Sequence, residues 1–168
     1  MRFSQGFTII EVVVALFILS LGAGAVFALI QNSAPAAANT ALQLEASYLV
    51  QEGMEIVRSM RDSNFLRIHG GLGGAWTDGL TGCAAGCEAD YNDTALAAFS
   101  GRKFNLNVPQ GFYNYDAGTP TPLTRKITIT QLAADQLALT VEVSWENRGR
   151  SQSLTAATEL YNWLTPTP

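Results

Sequence analysis

The chain has 168 residues, 10 basic and 14 acidic, with a formal charge of −4 and a single histidine. That length allows one anchoring helix and one small domain. Mild acidity argues against a general binder of polyanions, and one histidine leaves little room for histidine-dependent catalysis.

The first predicted element is an apolar helix. From Phe7 to Ile30 the only charged residue is Glu11. At about 1.5 Å per residue the segment spans roughly 36 Å, enough to cross a bilayer core of about 30 Å. A carboxylate at mid-membrane costs about 2.5–3.5 kcal/mol, and less near the interface where Glu11 would sit. Such a group is a functional candidate, and it needs a partner.

Gly6 before Phe7, Glu11 four residues further on and the aliphatic run that follows resemble the class III signal of type IV pilins and pseudopilins. The resemblance implies a leader at residues 1–6, cleavage between Gly6 and Phe7 by a prepilin peptidase, and N-methylation of Phe7. It implies assembly through Glu11, with other pilin or pseudopilin subunits and an inner-membrane assembly platform as partners. The protein would be a single-pass inner-membrane protein first and part of an extracytoplasmic filament later. The chemistry is consistent, since cleavage frees an α-amine whose ordinary pKa is about 8. Glu11, one turn away, could neutralise that amine on its own chain or on a neighbour. Many type IV pilins carry a proline within this apolar part; here it holds Gly22 and Gly24, with Pro35 just beyond.

Two plainer readings compete. An ordinary secretory signal would use Arg2 as its basic flank and be cut after Ala25 or Ala28, where Ala23-Gly24-Ala25 fits the small-x-small pattern. A carboxylate near the start of the apolar run suits that reading poorly, and the run is long for a signal core. A plain signal anchor would leave Glu11 at the interface without a role.

Beyond residues 7–34 the helix turns amphipathic over residues 35–63. Leu42, Ala46, Leu49, Gly53, Ile56 and Met60 alternate at four and three, which paints one stripe. The helix is predicted to end near Asp62-Ser63-Asn64, where turn-prone residues cluster. The pattern Ala46-x-x-Leu49-x-x-Glu52-x-x-Glu55-Ile56-x-Arg58 is also similar to helices of some minor pilins and type I pseudopilins, although any helix packed on a sheet needs such a stripe.

Residues 64–103 are expected to connect helix to sheet. The run Gly70-Gly71-Leu72-Gly73-Gly74 lacks the Lys-Ser/Thr ending of a phosphate loop and reads as a flexible turn. Cys83 and Cys87 are the only cysteines. In an exported domain they are expected to form a local disulfide, contributing about 2 kcal/mol or less. Zinc lacks ligands, with His69 alone and no second cysteine pair. Thr94 to Phe99 is expected to make a short helical turn.

Strand signals fill residues 104–164, before a tail at 165–168. Phe104, Leu106 and Val108 alternate with polar residues, and Phe112 to Tyr115 is a short aromatic piece. Ile127 and Ile129 mark the next strand. Leu137, Leu139, Val141, Val143 and Trp145 mark the clearest one, and Asn147-Arg148-Gly149-Arg150 turns it into a partner through Leu154, Ala156, Thr158 and Leu160. The fold class is α+β: a long helical spine against a roughly four-stranded antiparallel sheet.

No cofactor is expected. Glu88, Asp90, Asn92 and Asp93 supply oxygens for calcium, but a loop starting at Glu88 would have Asp93 at its sixth position and Phe99 at its twelfth, not the glycine and glutamate required. Arg102-Lys103, Arg125-Lys126 and Arg148 with Arg150 form small basic clusters that would contact DNA if the sheet gathered them. Tyr113, Tyr115, Tyr161 and Trp163 would make an adhesive patch if exposed, although packing is the commoner fate of such rings. The expectation is a non-enzymatic filament subunit, of minor pilin or pseudopilin type, in a type IV pilus, type II secretion or competence system. The rival is a membrane-anchored or secreted ligand-binding domain outside any filament.

Overall fold

The computed structural model describes Gly6 and Thr8–Leu164. The leader residues 1–5, Phe7 and the tail at 165–168 lie outside the described residues. One helix, α1 (Ile9–His69), is followed by eight strands: β1 (Cys87–Glu88), β2 (Ala97–Ala98), β3 (Asn105–Asn107), β4 (Phe112–Asn114), β5 (Thr119–Pro120), β6 (Thr124–Ala133), β7 (Gln136–Asn147) and β8 (Arg150–Tyr161). The chain divides into two compact units, Met1–Leu42 and Gln43–Pro168.

In the first unit the helix is apolar on every side and exposed on every side. Phe17, Leu19, Phe27 and Leu29 are each more than 60% accessible. A helix apolar all round is satisfied by lipid or by an assembly, and not by water. Its most apolar stretch has a mean hydropathy of 2.7 and no buried residue, so by length and composition it is able to cross a membrane.

The second unit is a head whose helix runs further than its sequence predicts. α1 continues through Asp62-Ser63-Asn64 and stops at His69. Tertiary burial overrides local turn preference there: Phe65 is buried against Trp76, ring centroids 6.3 Å apart and nearly parallel. Asn64 is buried too, and its amide donates to Trp76 O and Asp78 O at 3.1 and 2.8 Å. The glycine run is a helix stop and not merely a loose turn. Leu72 N–H donates to Arg67 O and Gly71 N–H to Ile68 O, with Gly71 at φ 76°, the hydrogen-bond pattern of a Schellman cap.

The buried face of the head helix runs through Ala46, Leu49, Val50, Gly53, Val57, Asn64 and Phe65. Ile56 and Met60, expected on the apolar stripe, lie on its flank and are only half-buried. Gly53 sets the closest approach to the sheet. A Cβ there would stand 2.9 Å from both Arg125 Cδ and Val141 Cγ1, so nothing larger than hydrogen fits without displacing them.

Two antiparallel sheets replace the single four-stranded one expected. The larger has the order β2-β1-β6-β7-β8 and the smaller β4-β3-β5. The segments around Leu106 and Tyr113 therefore leave the main sheet and pair with each other, Leu106 opposite Tyr113. β7 behaves as its alternation predicts, with Leu137, Leu139, Val141, Val143 and Trp145 all buried. β8 pairs along its whole length with β7, yet on its inward face only Leu160 is fully buried, and Leu154 stays 37% exposed. The β7–β8 turn has Arg148 at φ 53° and Gly149 at φ 72°, the two positive values of a type I′ hairpin.

Residues 94–99 form no helical turn. Ala97–Ala98 is β2, held by pairing of Ala98 with Cys87 and by Phe99 N–H donating to Gly86 O. The Cys83–Cys87 disulfide forms as expected, with Cα atoms 5.2 Å apart. Both cysteines are buried, and Cys83 O accepts from Ile129 N–H, which ties the small loop onto β6.

Candidate functional site

The start of α1 is built by a reciprocal pair. Thr8 Oγ1 accepts from Glu11 N–H at 3.3 Å, while Glu11 Oε2 accepts from Thr8 N–H and Thr8 Oγ1, both at 2.9 Å. Val12 N–H donates to Thr8 O as the first helical bond, so Thr8 is the N-cap and Glu11 the third helical residue. This capping box satisfies donors that would otherwise be orphaned, and a carboxylate in the first turn also meets the positive end of the helix dipole. The sequence signal for it is Thr8-x-x-Glu11, a capping signature immediately before the apolar run.

Two consequences follow for chemistry. The helix begins after the Gly6–Phe7 junction, and Gly6 itself is exposed and outside regular structure, so the peptide bond proposed for cleavage adjoins non-helical chain. Among the described residues, Oε1 of Glu11 has no partner, while Oε2 holds the cap. The carboxylate can thus serve the helix start and still offer one oxygen to an amine. Beside it Val12, Ala15, Leu16 and Leu19 line a shallow apolar hollow.

A comparison with sequence families matches the prokaryotic N-terminal methylation motif over residues 1–27. The chain carries a type IV pilin-type signal. No curated protein and no solved structure matches it. The prepilin-type signal implies processing by a peptidase and assembly with other pilins in general terms, and the apolar helix beside it fits membrane anchoring before assembly. The proposed methylation at Phe7 falls on a residue outside the described ones.

The head's charged residues are mostly consumed by its own architecture. Arg125, expected at a strand end beside Lys126, is fully buried. Its guanidinium donates to Leu49 O and Glu52 Oε1, each at 2.9 Å, and to Ala89 O, and it stacks 4.9 Å over the Phe104 ring. Phe104 stacks on Tyr115 at 4.5 Å, and Arg102 covers the far side of Tyr115 at 4.3 Å. Burial pushes the Tyr115 phenol up to about 12. These contacts withdraw Arg125 from any surface for DNA and place Tyr115 in packing, as they do Tyr113, whose ring meets Phe104 edge-on. Tyr161 and Trp163 stay 47% and 62% exposed.

The acidic loop is likewise committed to backbone. Asp90 Oδ1 accepts from Asn92 N–H and Oδ2 from Tyr115 N–H, while Asp93 Oδ2 accepts from Asp90 N–H. Glu88 is buried and accepts from Ser100 N–H at 3.1 Å, Ser100 Oγ at 2.8 Å and Arg102 Nε at 2.6 Å. Burial pushes its carboxyl up, but the hydrogen bonds from Arg102 and Ser100 together outweigh that and hold it below the ordinary value. A depressed folded value means that the cluster stabilises the head fully above the unfolded pKa of about 4.3 and is lost as pH falls through the folded one. Glu88→Gln is therefore expected to flatten the acid limb of stability below about pH 4.3. Urea midpoints at pH 7 and pH 3 measure it, and an unchanged midpoint difference between variant and wild type contradicts it.

Proposed function

We propose that this protein is a non-enzymatic structural subunit, of minor pilin or pseudopilin type, of a type IV pilus or a related type II secretion or competence filament. The observation that carries the reading is the methylation motif over residues 1–27, with Glu11 as the single charge in an exposed apolar helix. A peptidase removes residues 1–6, and Phe7 becomes a methylated amine. Glu11 neutralises such an amine in the apolar interior of the filament, where an unpaired charge of either sign is expensive. Oε1 is the oxygen available for that pairing, because Oε2 is held by Thr8.

The stripe similar to minor pilins and type I pseudopilins has a role within the head that needs no partner. Ala46 and Leu49 are buried, and Glu52 pairs with Arg125. The disulfide supports export, since such bonds persist in oxidising compartments.

The test is the mass and N-terminal sequence of the protein extracted from membranes in which a cognate prepilin peptidase is present. A start at methylated Phe7 is the expected result. A start after Ala25 or Ala28 would remove the apolar helix and with it the filament reading.

A further inference from the structure

The loop between β1 and β2 carries Asp90-Tyr91-Asn92-Asp93-Thr94. Asn92-Asp93-Thr94 has the asparagine, the non-proline middle residue and the hydroxyl of an N-glycosylation acceptor, and no other asparagine of the chain stands in such a triplet. A triplet alone is a weak signal, and its setting decides whether it is usable.

Here the setting suits a transferring enzyme. Tyr91, Asn92, Asp93 and Thr94 are all exposed and belong to no strand. The turn is held by its backbone and its acids. Asp93 N–H donates to Asp90 O at 3.3 Å, Asn92 N–H to Asp90 Oδ1 at 3.3 Å and Asp90 N–H to Asp93 Oδ2 at 2.8 Å. Asp90 is itself buried, and its Oδ2 accepts from Tyr115 N–H at 3.2 Å. Among the described residues the Asn92 carboxamide and the Thr94 hydroxyl take no part in any hydrogen bond. Asn64 and Asn114, by contrast, are buried and spend their amides on backbone. The two side chains that the signal requires are thus presented on an ordered loop and left uncommitted.

The neighbourhood also offers surface to cover. Tyr91, next to Asn92 in the chain, stacks on Phe112 with ring centroids 4.8 Å apart, and both rings stay nearly half exposed. The same loop leads into β2, an edge strand of the larger sheet whose Ala97 and Ala98 are exposed. An open sheet edge invites pairing by a foreign strand unless something bulky or charged stands beside it.

We propose that Asn92 is an N-glycosylation site of the exported head. The donor class is an oligosaccharide linked through pyrophosphate to a polyprenyl lipid, handed over by an oligosaccharyltransferase on the side of the membrane where the head folds. Nδ2 of Asn92 bonds to the anomeric carbon of the first sugar as the bond from that carbon to the pyrophosphate oxygen breaks. Polyprenyl pyrophosphate leaves with the electron pair, one Nδ2 proton passes to a base of the transferase, and nothing is oxidised or reduced. The glycan, bulky and hydrophilic, shields the Tyr91–Phe112 pair and the β2 edge. The inference rests on the membrane-anchored, exported reading of the chain and adds a modification of its head.

The test is the intact mass of the full-length protein from its own membranes, with mapping of the tryptic peptide that lies between Arg67 and Arg102. The expected result is an increment of whole sugar residues on that peptide, released by a glycoamidase that leaves an aspartate at position 92. Asn92→Gln and Thr94→Ala are expected to abolish the increment, and Thr94→Ser to keep it; all three changes fall on the exposed turn, so the core is untouched. An unmodified peptide in protein whose Cys83–Cys87 disulfide has formed overturns the proposal and leaves the export reading intact. An increment that survives Asn92→Gln overturns it as well. Protein that keeps residues 1–6 and free thiols fails the export reading instead. Purified full-length protein in detergent, given a polyprenyl-pyrophosphate oligosaccharide and an oligosaccharyltransferase, then decides the site: transfer to Asn92 upholds it, and no transfer overturns it.

Discussion

Glu11→Ala is expected to leave membrane insertion and cleavage after Gly6 in place while reducing the protein recovered in filaments by tenfold or more. The apolar helix gains hydropathy from the change, so anchoring does not suffer. What disappears is the one group in the segment able to neutralise a cationic N-terminus, and an uncompensated charge in an apolar assembly costs several kcal/mol. The capping box complicates this substitution, because alanine also removes the carboxylate that accepts from Thr8. Thr8→Ala separates the two effects. It weakens the cap by about 1 kcal/mol but keeps the carboxylate. If Thr8→Ala impairs assembly as severely as Glu11→Ala, the helix cap is the important element and the charge is not. Filament yield after shearing, set against total membrane-bound protein, gives the comparison.

The largest effect on head stability is expected from Arg125→Leu. The side chain is fully buried, pairs with Glu52, and holds Ala89 O and Leu49 O while covering Phe104. Leucine would leave Ala89 O without its donor and break the stack that joins β6 to the loops at 89 and 104. Removing one partner of a buried pair costs about 3–5 kcal/mol. Glu52 is 33% exposed on its side chain and can rehydrate, which places the expectation near the lower end. About 3 kcal/mol corresponds to a melting temperature lower by roughly 10 °C for a domain of this size. Thermal unfolding followed by circular dichroism, with the disulfide intact, measures it. Arg150→Leu serves as the control, since that arginine is exposed and such surface changes stay within about 0.5 kcal/mol. A loss no larger for Arg125 than for Arg150 would show that the buried guanidinium contributes nothing net.

The two variants act on features that differ in how far they could be read from the chain. Glu11 is visible because it is a single charge in a continuous apolar run, a contrast that no later folding can alter. Arg125 is invisible for the opposite reason. Followed by Lys126 and preceding an alternating strand, it reads as a charged strand end, and only the approach of Gly53 brings the helix close enough to bury it. The same division runs through the fold. β7 could be read because its alternation is long and its face is fully covered. β1, β2 and β5 have two residues each, too few to carry a period, and their pairing depends on partners distant in sequence. Local sequence puts the C-terminal end of α1 too early because Asn64 satisfies its amide through residues 76 and 78, which lie beyond any local window.

By itself, then, the sequence determined the apolar N-terminal helix, its lone carboxylate, the signal at Gly6 and Phe7, the local disulfide and the α+β class. Each depends on composition or on spacing within one element, so short-range physics suffices. Only the tertiary structure decided that the strands divide between two sheets, that Arg125 is interior, and that Glu88 is buried against Ser100 and Arg102. Those features arise where segments far apart in the chain meet, and burial there changes what a charged side chain is able to do.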